Sequence, residues 1–482
     1  MLSYFFLFLL SASSVHLAES SFELTPKITH NLGGSTHVEI KVPPNSIVHD
    51  AIALHEGHGP DSNNRRRLLL RSLQVSFELH PNSGRHLSKK LQVTIGNGFK
   101  SNTHTHQHEE TEAFKRAVEC HKSGRVVIHG NGEGVAKTVG AATVEACHGD
   151  DSIFGSFSIG KKLFSIEPGH NHKSIQFRRH GRRASSAAAT VQTFDMWAHA
   201  ITPIARNSTL SPLKLVRPNA TDNDHMVEFP PRKGTNAKRR LGRSSELFPK
   251  SLEIMLVVDH LLYKRLGSRE RALAYVFKVA HYVNGHFTHP TYFGDVAMYF
   301  SPRLNVVLTR IHIMETELQD TIWQSTSKRS TIVVTAEHLR AFHRWNAKAS
   351  TKGVIHGGRH DAAALLSGAK PLDAAGVAYL ATMCTSQSVS ANYASSSSAV
   401  GISGTVAHEI GHNIGFLHDY DYPGGSGDMK NACVGGHLMA GGGGTGWSSC
   451  SRAEYARYLP TNPCLDDDPE PLNEQAYCGD GH

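Results

Sequence analysis

The pattern of apolar and polar positions divides the chain into two folded parts joined by a polar connector. Residues 21–175 contain short segments in which apolar and polar residues alternate, such as 75–79 and 91–95, with Gly, Asn and Pro between them. Alternation with a period of two is typical of half-buried β-strands. We therefore expect the first part to be a mostly β domain.

The second part, residues 244–466, has a different pattern. A continuous apolar run at 252–258 predicts a buried strand, and helix-spaced apolar residues predict a helix over 270–286. We expect further strands at 296–300 and 305–313 and further helices at 337–344 and 403–415. Strands that alternate with helices along one segment predict a single α/β domain.

The connector, residues 176–243, is rich in Arg, Ser, Ala and Pro and has few large apolar residues. Such a composition is typical of an exposed segment. Its two sequons, at Asn207 and Asn219, fit the surface of a secreted glycoprotein. Arg240 and Arg243 have the spacing that a subtilisin-like processing protease of the secretory pathway recognises. We therefore expect cleavage after Arg243.

The first 20 residues predict a secretory signal peptide. A short apolar run at 4–10 is followed by small and polar residues, which fits a signal better than a membrane span. No later stretch reaches the roughly 18 uninterrupted apolar residues of a spanning helix. We expect secretion to the extracellular space, where disulfides form. Cys120 and Cys147, the cysteines of the first part, are then expected to pair.

The charge of the chain is unevenly distributed. Of its 482 residues 19% are charged and 39% hydrophobic, which excludes collagen-like, coiled-coil and highly charged disordered proteins as descriptions of the whole chain. A net charge of +8 would by itself suggest a nucleic-acid partner. The residues from 244 onwards, however, include 19 basic and 22 acidic ones, so the basic excess belongs to the N-terminal half. We expect no nucleic-acid partner.

The segment 408–419, HEIGHNIGFLHD, carries the chemistry. On a helix His408 and His412 face the same side, where two imidazole nitrogens can bind one zinc ion. Gly415 can end the helix in a left-handed conformation and so bring His418 back as a third ligand. Zinc lowers the pKa of water in the open fourth position. Glu409 is placed to accept the proton of that water during attack on a carbonyl.

This ordered set of three His, one Glu and two Gly, followed directly by Asp419, resembles the adamalysin or reprolysin branch of the metzincins, the ADAM type of metalloprotease. The segments 252–259, 376–384 and 447–451 also resemble that branch, and Met439 matches the residue of the Met-turn that packs beneath the metal. The resemblance implies a zinc endopeptidase made as a zymogen that cleaves extracellular proteins or peptides.

The resemblance also implies an architecture. An α/β metzincin catalytic domain, with a mixed twisted sheet and a long zinc-binding helix, would occupy 244–466 after a mostly β pro-domain at 21–175. Residues 467–482 resemble the start of a disintegrin-like region, truncated here. The strand 376–384 would form the edge of the cleft, where a substrate peptide adds as a further strand. The glycine loop 441–444 would line a substrate pocket.

Two further features follow from the resemblance alone. It pairs Cys384 with Cys464 and Cys433 with Cys450, which leaves Cys478 unpaired. It also implies a possible calcium site, whose matching carboxylates are Glu253, Asp361 and Asp467. Each of these three acids is individually better explained as a surface charge or an ion-pair partner.

Latency is where the chain departs from this family. No cysteine lies between 147 and 384, so we do not expect a pro-domain cysteine to bind the zinc. Latency would then depend on the pro-domain covering the cleft, with His170 or His172 as an alternative zinc-directed group. The histidines at 104, 106 and 108 are expected in a solvated loop.

Two other functions remain as alternatives. One is a catalytically silent extracellular binding protein with a structural zinc site. Glu409 argues against it, because a structural site needs no adjacent base and usually closes its fourth position. The other is a metal-sequestering protein, which predicts histidines without fixed spacing, unlike those at 408, 412 and 418.

Overall fold

The computed structural model contains two large β-sheets, and the region before residue 244 contributes strands to both of them. It describes residues 22–24, 27–30, 35–42, 47–56, 73–81, 86–96, 111–129, 136–147, 153–160, 162–168, 199–203, 214–216, 249–293, 296–326, 332–351, 360–372, 374–394, 398–419, 422, 433, 437–440 and 446–466. Among these residues no helix is long and apolar enough to cross a membrane.

The elements that precede residue 244 are mostly strands. They are β1 (Phe22–Leu24), β2 (Lys27–His30), β3 (Thr36–Val42), α1 (Ile47–His55), β4 (Leu73–Pro81), β5 (Leu87–Ile95), α2 (Glu112–Cys120), β6 (His121–His129), β7 (Lys137–Glu145), β8 (Phe154–Ile159), β9 (Lys162–Pro168), β10 (His199–Pro203) and β11 (Lys214–Val216).

Strands and helices alternate after residue 244. The elements are β12 (Lys250–Val258), α3 (His260–Leu266), α4 (Arg269–Thr288), β13 (Thr291–Phe293), β14 (Val296–Met298), β15 (Leu304–Ile313), α5 (Thr321–Gln324), β16 (Ile332–Val333), α6 (Thr335–Thr351), β17 (Ala362–Ser367), β18 (Lys370–Pro371), β19 (Gly376–Tyr379), β20 (Val389–Tyr393), α7 (Ala399–Ile414), α8 (Ser449–Tyr458) and the 3₁₀ turns Leu438–Ala440, Leu459–Thr461 and Pro463–Asp466.

The first sheet has nine strands in the order β1-β10-β9-β8-β7-β6-β4-β3-β2, and every neighbouring pair is antiparallel. Buried Val38, Ile40 and Val42 alternate along β3 with polar residues that are more exposed, as the sequence pattern requires of a sheet with one covered face. Phe77 and Phe164 pack on either side of Phe157, with ring centroids 4.9 and 5.1 Å from it. These rings form the centre of the core under this sheet.

The second sheet has seven strands in the order β11-β19-β20-β17-β12-β15-β5. All neighbours are parallel except β19 and β20. Alternate residues of β12 enter two separate cores: Leu256 packs on the side of helices α4 and α7, and Val257 on the side of α6. The continuous apolar run at 252–258 is therefore a strand buried on both faces, as predicted.

Two strands of the second sheet come from the region before residue 244. Strand β5 pairs with β15 at one edge, with Val93 opposite Ile311, and β11 pairs with β19 at the other edge. Helix α2 packs on α4, where the rings of Phe114 and Phe277 lie 6.0 Å apart. The segment 91–95 is thus a strand, as its alternation predicts, but it belongs to the sheet of the second part rather than to that of the first.

The predicted elements of the second part differ from the structure mainly at their ends. Helices α6 and α7 begin two and four residues before the predicted positions 337 and 403, and α6 also extends to 351. The strand predicted over 296–300 ends at Met298, because β14 pairs only with the three residues of β13. Apolar spacing fixes the middle of an element, whereas caps and pairing partners fix its ends.

Candidate metal centre

Helix α7 and the turn after it bring three histidines together. His408 and His412 lie one turn apart with their Nε2 atoms 3.1 Å from each other, and Nε2 of His418 lies 3.3 Å from that of His412. Ligands at about 2.05 Å from one tetrahedral zinc ion are about 3.3 Å apart. All three side chains are buried. Their spacing therefore fits a single zinc ion.

The far side of two of these rings is held by the backbone. Nδ1–H of His408 donates to the carbonyl oxygen of Leu438, and Nδ1–H of His412 to that of Phe416, each over 2.7 Å. This tautomer leaves the Nε2 lone pairs for a metal, which is the usual arrangement around zinc-binding histidines. Burial, with a smaller effect of nearby His418, lowers the pKa of His412 to about 3, so the ring is in the neutral form that binds metal.

Gly415 turns the chain so that His418 can reach the site. Its φ of +129° lies in the left-handed region, and its N–H donates to the carbonyl oxygen of Gly411 over 3.0 Å. A Cβ at this position would also lie 2.5 Å from the ring of Tyr458. Only glycine readily adopts this positive φ and also has no Cβ that would clash with Tyr458, as expected from the sequence.

Met439 and Asp419 stabilise the floor of the site. A Cβ at Gly411, one position before His412, would lie 3.1 Å from Sδ of Met439, so the methionine packs directly against α7. The N–H of Asp419 donates to the carbonyl oxygen of Met439 over 3.1 Å, and its carboxylate accepts a hydrogen bond from Ser448 over 2.6 Å. Asp419, the residue after His418, is thus hydrogen-bonded to the turn that contains Met439.

Glu409 follows His408 on α7 and lies close to strand β19. The residue is fully buried. A Cβ added to Gly376, the first residue of β19, would come within 2.6 Å of its Oε1 atom. The carboxylate therefore sits against the backbone of the strand that the sequence places at the cleft edge.

The sequence did not reveal two supports of this arrangement. One is the space that Gly376 leaves because glycine has no Cβ. The only indication of it in the sequence was a glycine within a strand. The other is Asn413, whose side-chain amide donates to the carbonyl oxygen of Tyr379 over 2.9 Å and to Oγ1 of Thr382 over 3.2 Å. These bonds attach the end of α7 to the end of β19.

The other site residues predicted from the sequence are only partly described. The disulfides Cys120–Cys147, Cys384–Cys464 and Cys433–Cys450 are present in the structure. The calcium site stays a prediction: the N–H of Glu253 donates to the carboxylate of Asp361 over 2.8 Å, but Asp467 lies outside the described residues. Also outside them are residues 1–20, His104, His106, His108, His170, His172, Asn207, Asn219, Arg240, Arg243, the loop 441–444 and Cys478.

Comparisons with known proteins agree with this geometry. Residues 250–469 match the family described as reprolysin (M12B) family zinc metalloprotease. A disintegrin and metalloproteinase with thrombospondin motifs 16 of Mus musculus is 30% identical over 255 residues, which are 50% of this chain and 18% of that protein. For motifs 18 of Mus musculus the identity is 26% over 279 residues, 55% of this chain and 20% of that protein.

A longer match extends into the region before the metalloprotease segment. A disintegrin and metalloproteinase with thrombospondin motifs 12 of Mus musculus is 25% identical over 378 residues, 73% of this chain and 20% of that protein. The archaemetzincin of Methanopyrus kandleri, a solved structure, aligns with 44% of this chain and 96% of its own at 13% identity, but its TM-score of 0.26 is too low to bear on the fold. The chain spans about a fifth of the length of these three mouse relatives.

The family match and the histidine geometry together define the class of protein. Three buried imidazoles at metal-binding distances, an adjacent buried glutamate and a supporting methionine turn lie within the matched residues. Residues 250–469 are thus similar to the reprolysin-type zinc metalloproteases in sequence and carry a histidine arrangement that fits one zinc ion.

Proposed function

We propose that this chain is the precursor of a secreted zinc endopeptidase that hydrolyses peptide bonds of extracellular proteins. The observation that carries the proposal is the position of Glu409, which follows His408 directly on α7, is fully buried and lies against the first residue of β19. A purely structural zinc site needs no such base. This position favours an enzyme over a silent binding protein.

His408, His412 and His418 would hold the zinc ion, which supplies the Lewis acidity that polarises a carbonyl and acidifies a water molecule. Glu409 accepts the proton of the attacking water through its carboxylate and later gives it to the departing amine. The carbonyl oxygens of Leu438 and Phe416 keep two of the imidazoles in the correct orientation.

The substrate peptide would bind along β19. Among the described residues after 244, only β20 pairs with this strand, on one of its sides. The other side can therefore offer its backbone groups to an extended peptide. Gly376 begins the strand next to Glu409, which brings the backbone of the bound peptide close to the base. Backbone pairing sets no side-chain preference by itself, and extracellular peptides and proteins are the proposed substrate class.

The experiment that tests this function is hydrolysis of a peptide library by the processed protein. Cleavage that disappears when zinc is chelated and returns when zinc is restored is the expected result. Cleavage that persists without zinc would contradict the proposal, and so would a protein that holds zinc but cleaves nothing.

We infer that latency depends on occupation of the substrate edge by the region before residue 244. Strand β11 lies along the side of β19 that a substrate would use, with Lys214 opposite Val377, Leu215 opposite Ala378 and Val216 opposite Tyr379. A substrate strand and β11 would compete for the same backbone groups. No cysteine ligand is needed for such a block.

Removal of this pairing should activate the uncleaved precursor. Arg243→Ala is expected to prevent release of the chain beginning at Ser244 and to leave little hydrolysis. Adding Leu215→Pro and Val216→Pro removes two backbone N–H donors. Successive N–H groups of a strand point to opposite sides, so one of the two donors faces β19. Loss of this hydrogen bond, worth about 1 kcal/mol, together with the proline rings that disfavour pairing, should raise hydrolysis by the Arg243→Ala precursor about fivefold or more.

The matched control places the two prolines outside the paired residues. Asp222→Pro and Asn223→Pro lie in the same connector and leave both sequons intact. Hydrolysis should stay low in this variant. An equally inactive Leu215→Pro/Val216→Pro precursor of normal size would mean that β11 does not block the cleft.

A further inference from the structure

A second group of three buried histidines lies outside the catalytic centre. His86 precedes strand β5, His121 begins β6, and His281 lies in the middle of helix α4. One ring nitrogen from each lies within 4.8 Å of the others. Among the described residues only this group and the catalytic one bring three potential metal ligands so close. The group joins the region before residue 244 to the metalloprotease domain.

The ring nitrogens lie close enough for a metal site, although the rings of His121 and His281 are stacked, 4.4 Å apart and inclined by 15°, so one of them must turn for both lone pairs to meet one ion. Nε2 of His86 and Nδ1 of His121 are 3.1 Å apart, the same separation as between His408 and His412. Nε2–H of His281 points at the carbonyl oxygens of Lys122 and Val144, at 3.2 and 3.3 Å. That tautomer presents the Nδ1 lone pair as the ligand atom. Backbone carbonyls hold the far nitrogens of the catalytic histidines in the same way.

Burial keeps these imidazoles neutral. It lowers the pKa of His86 to about 3 and is the main cause of the lowered pKa values of His121 and His281. Repulsion from His281 and His86 adds to the effect at His121, and repulsion from His86 adds to it at His281. Neutral imidazole is the form that binds a metal ion. Three such rings from three separate segments are an unusual choice for a core that apolar side chains would fill at less cost.

The charges near the group limit what the site would hold. Arg116 and Lys278 both pair with Glu145, at 2.9 and 2.7 Å, so two positive charges near the histidines share this carboxylate. A divalent ion with three neutral ligands in this surrounding would favour an anion, such as chloride or hydroxide, in its fourth position. Imidazole ligands suit zinc and its transition-metal neighbours rather than calcium or magnesium.

We propose that His86, His121 and His281 bind a second transition-metal ion, with zinc as the natural occupant, and that this ion fastens the pro-region to the metalloprotease domain. His86 and His121 precede Arg243, whereas His281 follows it. The site is therefore complete only while the two regions stay together. Metal binding itself is independent of catalysis, and its loss on processing rests on the proposed cleavage after Arg243.

The test is the zinc content of the full-length precursor, purified as Arg243→Ala. We expect about two zinc ions per chain, and about one after His86→Gln and His121→Gln are added. The matched control is His289→Gln. His289 is partly buried at this boundary, with Nδ1 3.2 Å from Oγ1 of Thr143, but it lies outside the group. The control should keep two ions.

Two results would overturn the proposal. One is a precursor that holds a single zinc ion. The other is a second ion that survives the His86→Gln/His121→Gln change, since it would then bind elsewhere, for example at the histidines 104, 106 and 108.

A measurement on the wild-type precursor excludes misfolding of a histidine variant as the reason for a lost ion. The wild-type precursor is cut by a processing protease and the pro-region is separated, which should lower the zinc content from two ions to one. A metalloprotease chain that keeps both ions would contradict the proposal. Peptide hydrolysis is measured separately, so a loss of one ion from a protein that cleaves nothing would refute the proposed activity but not this site.

Discussion

Glu409→Gln should abolish peptide hydrolysis and leave zinc binding intact. The amide has nearly the size of the carboxylate and fits the same buried space, but it cannot accept a proton from water. Positioned general bases contribute about 10²- to 10⁴-fold to rates, so we expect kcat to fall at least about a thousandfold. Hydrolysis of a quenched peptide and the zinc content of the processed protein measure the two effects.

The control for this variant is Glu337→Gln, which makes the same change in the first turn of α6, on the other side of the sheet. Its hydrolysis should stay within about twofold of the wild type, because a surface-helix charge is distant from the chemistry. Chelation should give the same loss as Glu409→Gln, and added zinc should restore only the wild type. Turnover by zinc-loaded Glu409→Gln at the wild-type rate would refute the role of this residue.

The part of the metal centre that the sequence predicted depends on short-range geometry. His408, His412 and His418 lie within eleven consecutive residues, where helical spacing and one glycine turn determine the arrangement. The buried strand at 252–258 was predictable for a similar reason, since a continuous apolar run needs cover on both faces. Local periodicity carries enough information for features of this kind.

The parts that the sequence did not predict depend on long-range pairing. Alternation at 91–95 indicated a strand but not its neighbour, and β5 joined the sheet of the second part. Strand β11 lies in a polar connector with little apolar signal, so its pairing with β19 could not be read from periodicity. His86, His121 and His281 are separated by more than thirty residues each and meet only because helix α4 packs against the region before residue 244.

These long-range features have a common consequence for the precursor. The region before residue 244 contributes a strand to each edge of the catalytic sheet, and helix α2 packs on α4. Its removal would expose the part of the core that Leu87 and Val93 cover, as well as the substrate edge. The proposed processing would therefore change the far side of the domain as well as its cleft, because the region before residue 244 is an integral part of the described structure.

Gly376→Ala should impair catalysis strongly, although glycine carries no reactive group. A Cβ at this position would lie 2.6 Å from Oε1 of Glu409 and 2.6 Å from Cγ2 of Thr405. Neither group can move away easily, because Glu409 is fully buried and Thr405 lies on the same helix. The methyl group must therefore displace either the base or the edge strand.

The expected loss in kcat is about a hundredfold, since a misplacement of about 1 Å in an active site has an effect of this size. Zinc content should be unchanged, because the atoms nearest to the added methyl group belong to Glu409 and Thr405 and not to the histidines. The matched control is Gly401→Ala on α7, where a Cβ would meet nothing within 4 Å. That change should leave kcat unaltered and stabilise the helix by up to about 1 kcal/mol. If Gly376→Ala and Gly401→Ala hydrolyse peptides equally well, the carboxylate of Glu409 does not lie against the edge strand in the active protein, and the proposed alignment of base and substrate fails.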